Sequence, residues 1–173
     1  MCLYIYANGT RLQQVDKFKY LGVTFDCEGR RETTVDERIN AYSRNVGVLY
    51  PLLKDKYVPQ KTKVIIYTTI LRPVLTYGCE AWSLSKTTKD SVVAAEMRTL
   101  RLIRGVTRLH RLRNEIRADL HVEDILSYIE RAQLRWFGHV KRMSPERLPR
   151  FGWITNQLGS AVVGAHVRDS QTT

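Results

Sequence analysis

The spacing of apolar residues changes once along this chain, near Thr33, and the change dictates the order in which elements can form. Before it the period is two. Residues 3–7 (LYIYA) and 11–15 (RLQQV) flank Asn8-Gly9, a dipeptide suited to a type I′ turn, which predicts a β-hairpin. A third strand is expected from Tyr20 to Phe25, closed by Cys27-Glu28-Gly29. After Thr33 the period lengthens. Val35, Ile39, Tyr42, Val46 and Leu49 alternate at steps of four and three, the signature of one helical face. Thr34, with Glu37 three residues later, has the form of a capping box and predicts the helix start. So small a sheet cannot cover its own apolar face, so the helices must do it.

The remaining helices follow from breakers and stripes. Tyr57-Val58-Pro59 ends the first, and a second is expected from near Gln60, with Val64, Thr68, Leu71 and Leu75 inward. Pro73 should kink it and Gly78 should stop it. A third is predicted from Thr88 to Arg104, with Val93, Met97 and Leu100 inward and Gly105 as its stop. A short basic piece spans His110 to Leu120. The last helix covers Val122 to Met143, with Ile125, Ile129, Gln133, Trp136 and Val140 on one face. The tail beyond 151, rich in Gly, Ser and Thr, is expected to be disordered. The expected fold class is α+β, mostly α. A hairpin or three-strand element (1–30) precedes a helical bundle (31–150) and the tail (151–173).

Charge narrows the function classes. Lys and Arg number 28 against 17 Asp and Glu, a net charge of +11, with a pI near 9.8. Such an excess favours a polyanionic partner. Residues 98–150 carry thirteen basic residues against six acidic ones, with arginine predominant. Guanidinium groups grip phosphate bidentately, which suits contact with a nucleic-acid backbone better than solubility alone does. The competing explanation is a solvated face with no partner.

The exclusions are equally useful. Cys2, Cys27 and Cys79 stand far apart with no CxxC spacing, and the four histidines do not pair at ligand spacing. Neither a disulfide framework nor a zinc site is indicated, and a reducing, intracellular compartment (nuclear or cytoplasmic) is expected. Residues 1–7 lack the basic start of a signal peptide, and the most apolar stretch, 64–75, is interrupted by Arg72 and Pro73. No membrane partner is expected. There is no Asp-Asp pair, no Walker A loop, no HExxH and no GxSxG. The acidic doublets Asp36-Glu37 and Glu123-Asp124 fall at predicted helix starts, where capping accounts for them.

Several blocks, in order, resemble non-LTR retrotransposon reverse transcriptases. They are FKYLGV (18–23) followed by a Gly-containing turn, RINA (38–41), LTYGCEAW (75–82), LRLI (100–103) and LRWFGHVKRM (134–143). The resemblance covers about residues 3 to 150. It implies a primer-grip hairpin and a helical thumb from the region just after the catalytic palm. Such enzymes polymerise with metal ions held by carboxylates, one usually from an Asp-Asp turn. The expectation is therefore a fragment inactive by itself, with no cofactor of its own, although the full-length family enzyme would use Mg. Its expected partners are RNA–DNA or duplex backbone and a palm domain.

The candidate nucleic-acid contacts are Lys19 and Gly22 at the third strand, and Lys61, Lys63 and Arg72 on the second helix. Arg98, Arg101 and Arg104 share one face of the third helix. Arg135, His139 and Arg142 lie on the last. A glycine in a strand admits a close backbone, but a plain bulge explains Gly22 equally well. Solvation at a helix start explains Lys61 and Lys63 as well as contact does. Trp82 and Trp136 sit on apolar stripes, where core packing is favoured over stacking on a base. Two other functions remain open: a free-standing basic helical module with a helix-turn-helix at Gly105, and a protein-interaction bundle.

Overall fold

In a computed structural model the described residues are 6–7, 9–11, 13, 15–20, 23–26, 32–107, 113–144, 146, 147, 149 and 150. The expected tail 151–173 and Gly22 lie outside them. The described chain is mostly α-helix with a small β portion, the expected class. Two compact units divide it, Met1–Ile129 and Glu130–Thr173.

The β portion differs in detail from expectation. Strands β1 (Tyr6–Ala7) and β2 (Thr10–Arg11) form the antiparallel hairpin signalled by Asn8-Gly9, with Gly9 at φ +77°. The expected single third strand is instead a second hairpin, β3 (Lys17–Tyr20) paired with β4 (Val23–Asp26), in register Lys17↔Asp26 to Tyr20↔Val23. The two hairpins are separate two-stranded sheets. The apolar alternation changes phase between Tyr20 and Val23, from even positions to odd, and that shift marks a reversal which a single strand would not show.

Helix α1 runs from Glu32 to Lys54. It begins two residues before Thr34, which is buried within the first turn and is not the cap expected of it. Val35, Tyr42 and Leu53 are fully buried along its inner face, and Ile39, Val46 and Leu49 are half-buried. The Tyr42 hydroxyl donates to Thr99 Oγ1 at 2.7 Å, tying α1 to the third long helix. Burial raises the Tyr42 phenol above its ordinary range.

The second helical region is one continuous path in three pieces. α2 (Gln60–Ile66) passes into a π-helical turn (Tyr67–Leu71) and then α3 (Arg72–Leu75). Pro73 was expected to kink this helix, and the wide turn immediately before it accommodates the missing N–H. The wide turn also rotates the stripe. Lys63, Tyr67, Leu71, Arg72 and Leu75 point inward, while Thr68 is exposed and donates to the Val64 and Ile65 carbonyls. Thr68 was expected inward because constant 3.6-residue spacing was carried across the wide turn. Gly78, at φ +74°, then turns the chain into the short 3₁₀ turn Cys79–Ala81.

Helix α4 (Lys86–Arg104) is capped at both ends. Ser85 Oγ accepts from Thr88 N–H at 3.2 Å, and Gly105, at φ +75°, donates to Arg101 O at 2.8 Å. Val92, Met97, Thr99, Leu100 and Ile103 are buried. Helix α5 (Arg113–Leu120) ends at His121, which takes φ +52°. Asp124 caps α6 (Ile125–Arg142) by accepting from Leu126 and Ser127 N–H. Ile125 and Ile129 are buried, whereas Trp136 is 44% exposed, contrary to the expected core position. Leu134 and Phe137 beside it are exposed too, so the apolar stripe of α6 is not wholly buried over its second half.

Candidate nucleic-acid interface

The arginines of the basic stretch divide into those bound internally and those that are not. Glu96, fully buried on α4, organises the first group. It sits at i+4 from Val92 and i−4 from Leu100, on the face where an apolar residue is expected. Arg117 from α5 donates to Glu96 Oε2 at 2.7 Å and pairs with Asp124 Oδ1 at 2.8 Å. Arg72 Nη2 lies 3.6 Å from Glu96 Oε1 and donates to the Glu123 carbonyl at 2.7 Å. Tyr67 donates its hydroxyl to Glu96 Oε1 at 2.6 Å and accepts from Arg72 Nε at 3.2 Å. The Arg72 guanidinium also lies 5.2 Å and 5.1 Å from the Tyr67 and Tyr128 ring centres. Burial would lower the Arg72 pKa, but Tyr67 and Glu96 outweigh it and raise it. The Tyr67 phenol is raised by burial and then by the Glu96 charge.

This network changes the standing of two expected phosphate contacts. Arg72 is buried with its donors turned to protein groups, and Lys63 is buried as well. Neither is presented to solvent on the described surface. Lys61 is exposed on α2, and Lys19 is exposed on β3. Arg104 is exposed and forms an ion pair with Asp119 at 3.0 Å.

Arg98 and Arg101 are different. Neither hydrogen-bonds to, nor ion-pairs with, another described residue. Arg98 is exposed, and Arg101 is half-buried with its Nε closed off from solvent and lacking a partner. Both line a groove of about 310 Å³. Val46 and Tyr50 on α1, with Leu102, Val106 and Thr107, complete the lining. Helical spacing explains the convergence: Val46 and Tyr50 are four apart, as are Arg98 and Leu102, while Gly105 returns the chain to bring in Val106. Lys54 lies 5.5 Å from the Tyr50 ring centre and adds positive charge there. The groove is thus apolar inside and cationic at its edge. A second cavity, of about 460 Å³, is lined by Arg117, His121, Glu123 and Asp124 among others. Its arginine is already neutralised and its carboxylates disfavour an anion.

Sequence reasoning identified Arg98, Arg101 and Arg104 as one face but missed Tyr50. Its signal was present: Tyr50 falls beside the Val46–Leu49 stripe, four residues before Lys54. The buried carboxylate of Glu96 was also missed, although an acid between Val92 and Leu100 was visible.

In the second unit, Arg135, His139 and Arg142 are all exposed on α6. The His139 ring is 5.6 Å from that of Trp136, and Lys141 Nζ stands 5.5 Å from the Phe137 ring centre. A methyl group on Gly138 would meet Arg142 Nη1 at 3.2 Å. Among the described residues no cluster of His, Cys, Asp and Glu could hold a metal ion, and no helix is long and apolar enough to cross a membrane.

Fold and groove together define a mostly helical α+β protein with two uncompensated arginines at the edge of an apolar groove. The chain is similar to a transposon-derived, uncharacterized protein of Caenorhabditis elegans, with 28% identity over 153 residues. That match covers 80% of this chain and 51% of the relative, so the chain spans about half the length of the curated relative it matches. No family model matches the sequence, and no solved structure matches the fold.

Proposed function

We propose that this chain is the primer-grip and thumb portion of a non-LTR retrotransposon reverse transcriptase, holding template–primer duplex through its backbone. The observation that carries the proposal is the similarity to a transposon-derived protein along 80% of the chain. That likeness agrees with the ordered sequence blocks from FKYLGV to LRWFGHVKRM. Arg98 and Arg101, which no carboxylate among the described residues neutralises, supply the kind of phosphate donors the role requires. Lys61, Arg135 and Arg142 are exposed and are assigned supporting contacts, whereas Lys63 and Arg72 are assigned to structure.

On this proposal the chain binds RNA–DNA hybrid or duplex without sequence preference and adds no nucleotide alone. The carboxylates for metal-assisted transfer belong to a palm that it would abut, and Mg belongs there too. The test is incubation of the full chain with primed template, nucleotides and Mg, alongside hybrid binding at low salt. Binding without incorporation is expected. Incorporation above that of an Arg98→Ala/Arg101→Ala variant would overturn the non-catalytic assignment. Selection of one preferred duplex sequence would favour a helix-turn-helix regulator instead.

A further inference from the structure

We propose that the groove between α1 and α4 is a subsite for one unpaired nucleotide, its base against Tyr50 and Leu102 and its phosphate on Arg98 and Arg101. The inference rests on the nucleic-acid proposal above and adds to it a preference for a single-stranded end. Three observations carry it.

The first is the mismatch between lining and edge. A backbone-tracking surface needs only charge, yet besides Thr107 and its two arginines this groove is lined by Val46, Tyr50, Leu102 and Val106. A duplex offers such a lining nothing, because its base faces are hidden in the stack. An unpaired nucleotide offers a flat apolar face and an anion on one short frame. The second is charge. Arg72, Arg104 and Arg117 are neutralised by protein carboxylates, and the two arginines at this groove are not. Arg101 is half-buried and its guanidinium has no partner among the described residues, so an arriving phosphate would meet an uncompensated charge. The third is size. At about 310 Å³ the groove is at the small end of ligand sites, which run roughly 300–1,000 Å³. It has room for one nucleotide, not for a run of them.

Tyr50 is 44% exposed, so its ring is available to an incoming base. Lys54 Nζ lies 5.5 Å from the same ring centre and adds positive charge beside it.

The test compares three labelled RNA–DNA hybrids with the full chain: blunt, bearing a short single-stranded overhang, and bearing the same overhang with abasic sites. The overhang should bind about fivefold or more tightly than either of the others. Tyr50→Ala should abolish that gain, and Tyr50→Phe should preserve it. Equal binding of the three hybrids would overturn the subsite yet leave backbone binding intact. Equal binding of normal and abasic overhangs, both above blunt, would show that the groove reads charge alone, which also overturns it. Failure of every hybrid to bind at low salt would instead remove the nucleic-acid proposal on which the subsite depends. The abasic comparison uses the unmodified protein, so the outcome does not depend on how a variant folds.

Discussion

Glu96 shows how one residue can decide what its neighbours are available to do. A carboxylate withdrawn completely from water is tolerable only if its desolvation is offset by close, well-directed partners. Arg72, Arg117 and the Tyr67 hydroxyl are those partners, and their engagement turns two arginines of a basic chain into structural elements. Glu96→Gln keeps the shape but leaves the buried Arg72 without its counter-charge and Arg117 with Asp124 alone. The expected loss is about 3–5 kcal/mol of stability, read as a lower urea midpoint. Arg72→Met and Arg117→Met combined with Glu96→Gln should recover much of it. A Glu96→Gln variant within about 0.5 kcal/mol of the parent, the range of ordinary surface changes, would refute the role.

The same burial makes stability depend on alkaline pH. Burial pushes the Cys79 thiol up from 9.0 to about 11, and it holds the Tyr42 and Tyr67 hydroxyls above their ordinary 10.0. The folded chain therefore keeps protons that the unfolded chain releases. Stability is fully present below about pH 9 and declines as pH rises through the folded values. Thermal melts at rising pH should show the midpoint falling above pH 9, and Tyr42→Phe should soften that fall. A midpoint flat from pH 8 to 11 would contradict these assignments. Cys79 should correspondingly resist alkylation near neutrality until the protein is unfolded.

Element by element, the sequence was legible wherever one residue type has one physical use. Asn8-Gly9, Pro59, Gly78 and Gly105 each mark a turn or a helix end because their backbone preferences leave few alternatives. Misreading came where a local signal competed with tertiary context. Thr34 has a capping sequence yet lies inside α1, where it and Val35 are both buried. The π-helical turn at Tyr67–Leu71 has no sequence mark beyond Pro73, and across it Thr68 lies outside and Arg72 inside. Trp136 was placed by the habit of its residue type, and half of its helix is exposed instead. The arginine face of α4 was legible from spacing, but the groove beside it was not. It needs α1 alongside, and no periodicity reports which helices become neighbours.

Gly105 gives the clean test at this scale. It sits at φ +75° with nothing within 4 Å of where a methyl would go. Gly105→Ala therefore probes backbone conformation alone, and should cost about 1 kcal/mol by the left-handed penalty. Ser85→Ala at the other end of α4 removes one cap bond and should cost a similar amount, about 1 kcal/mol. Equal denaturation midpoints for parent and Gly105→Ala would show that the cap does not hold α4.

Across the whole molecule, a charge of +11 attracts any polyanion, so affinity alone cannot identify an interface. Salt dependence can, because distant charges are screened beyond about 8–10 Å at ordinary ionic strength while phosphates in contact release counterions. Each neutralised phosphate contributes about −0.9 to the slope of log affinity against log salt on duplex. On blunt hybrid, where the backbone-binding proposal has Arg98 and Arg101 each meet a separate phosphate, the double alanine variant should bind with a slope shallower by about 1.5–2. Arg104→Ala should change the slope less, since Asp119 already faces that guanidinium. Lys61→Ala tests an exposed cation away from the groove and should remove at most about one contact's share. An unchanged slope in the Arg98/Arg101 double variant would locate the interface elsewhere. A slope change matched by Lys61 and Arg104 together would mean that the surface acts through its summed field, with no gripping face at all.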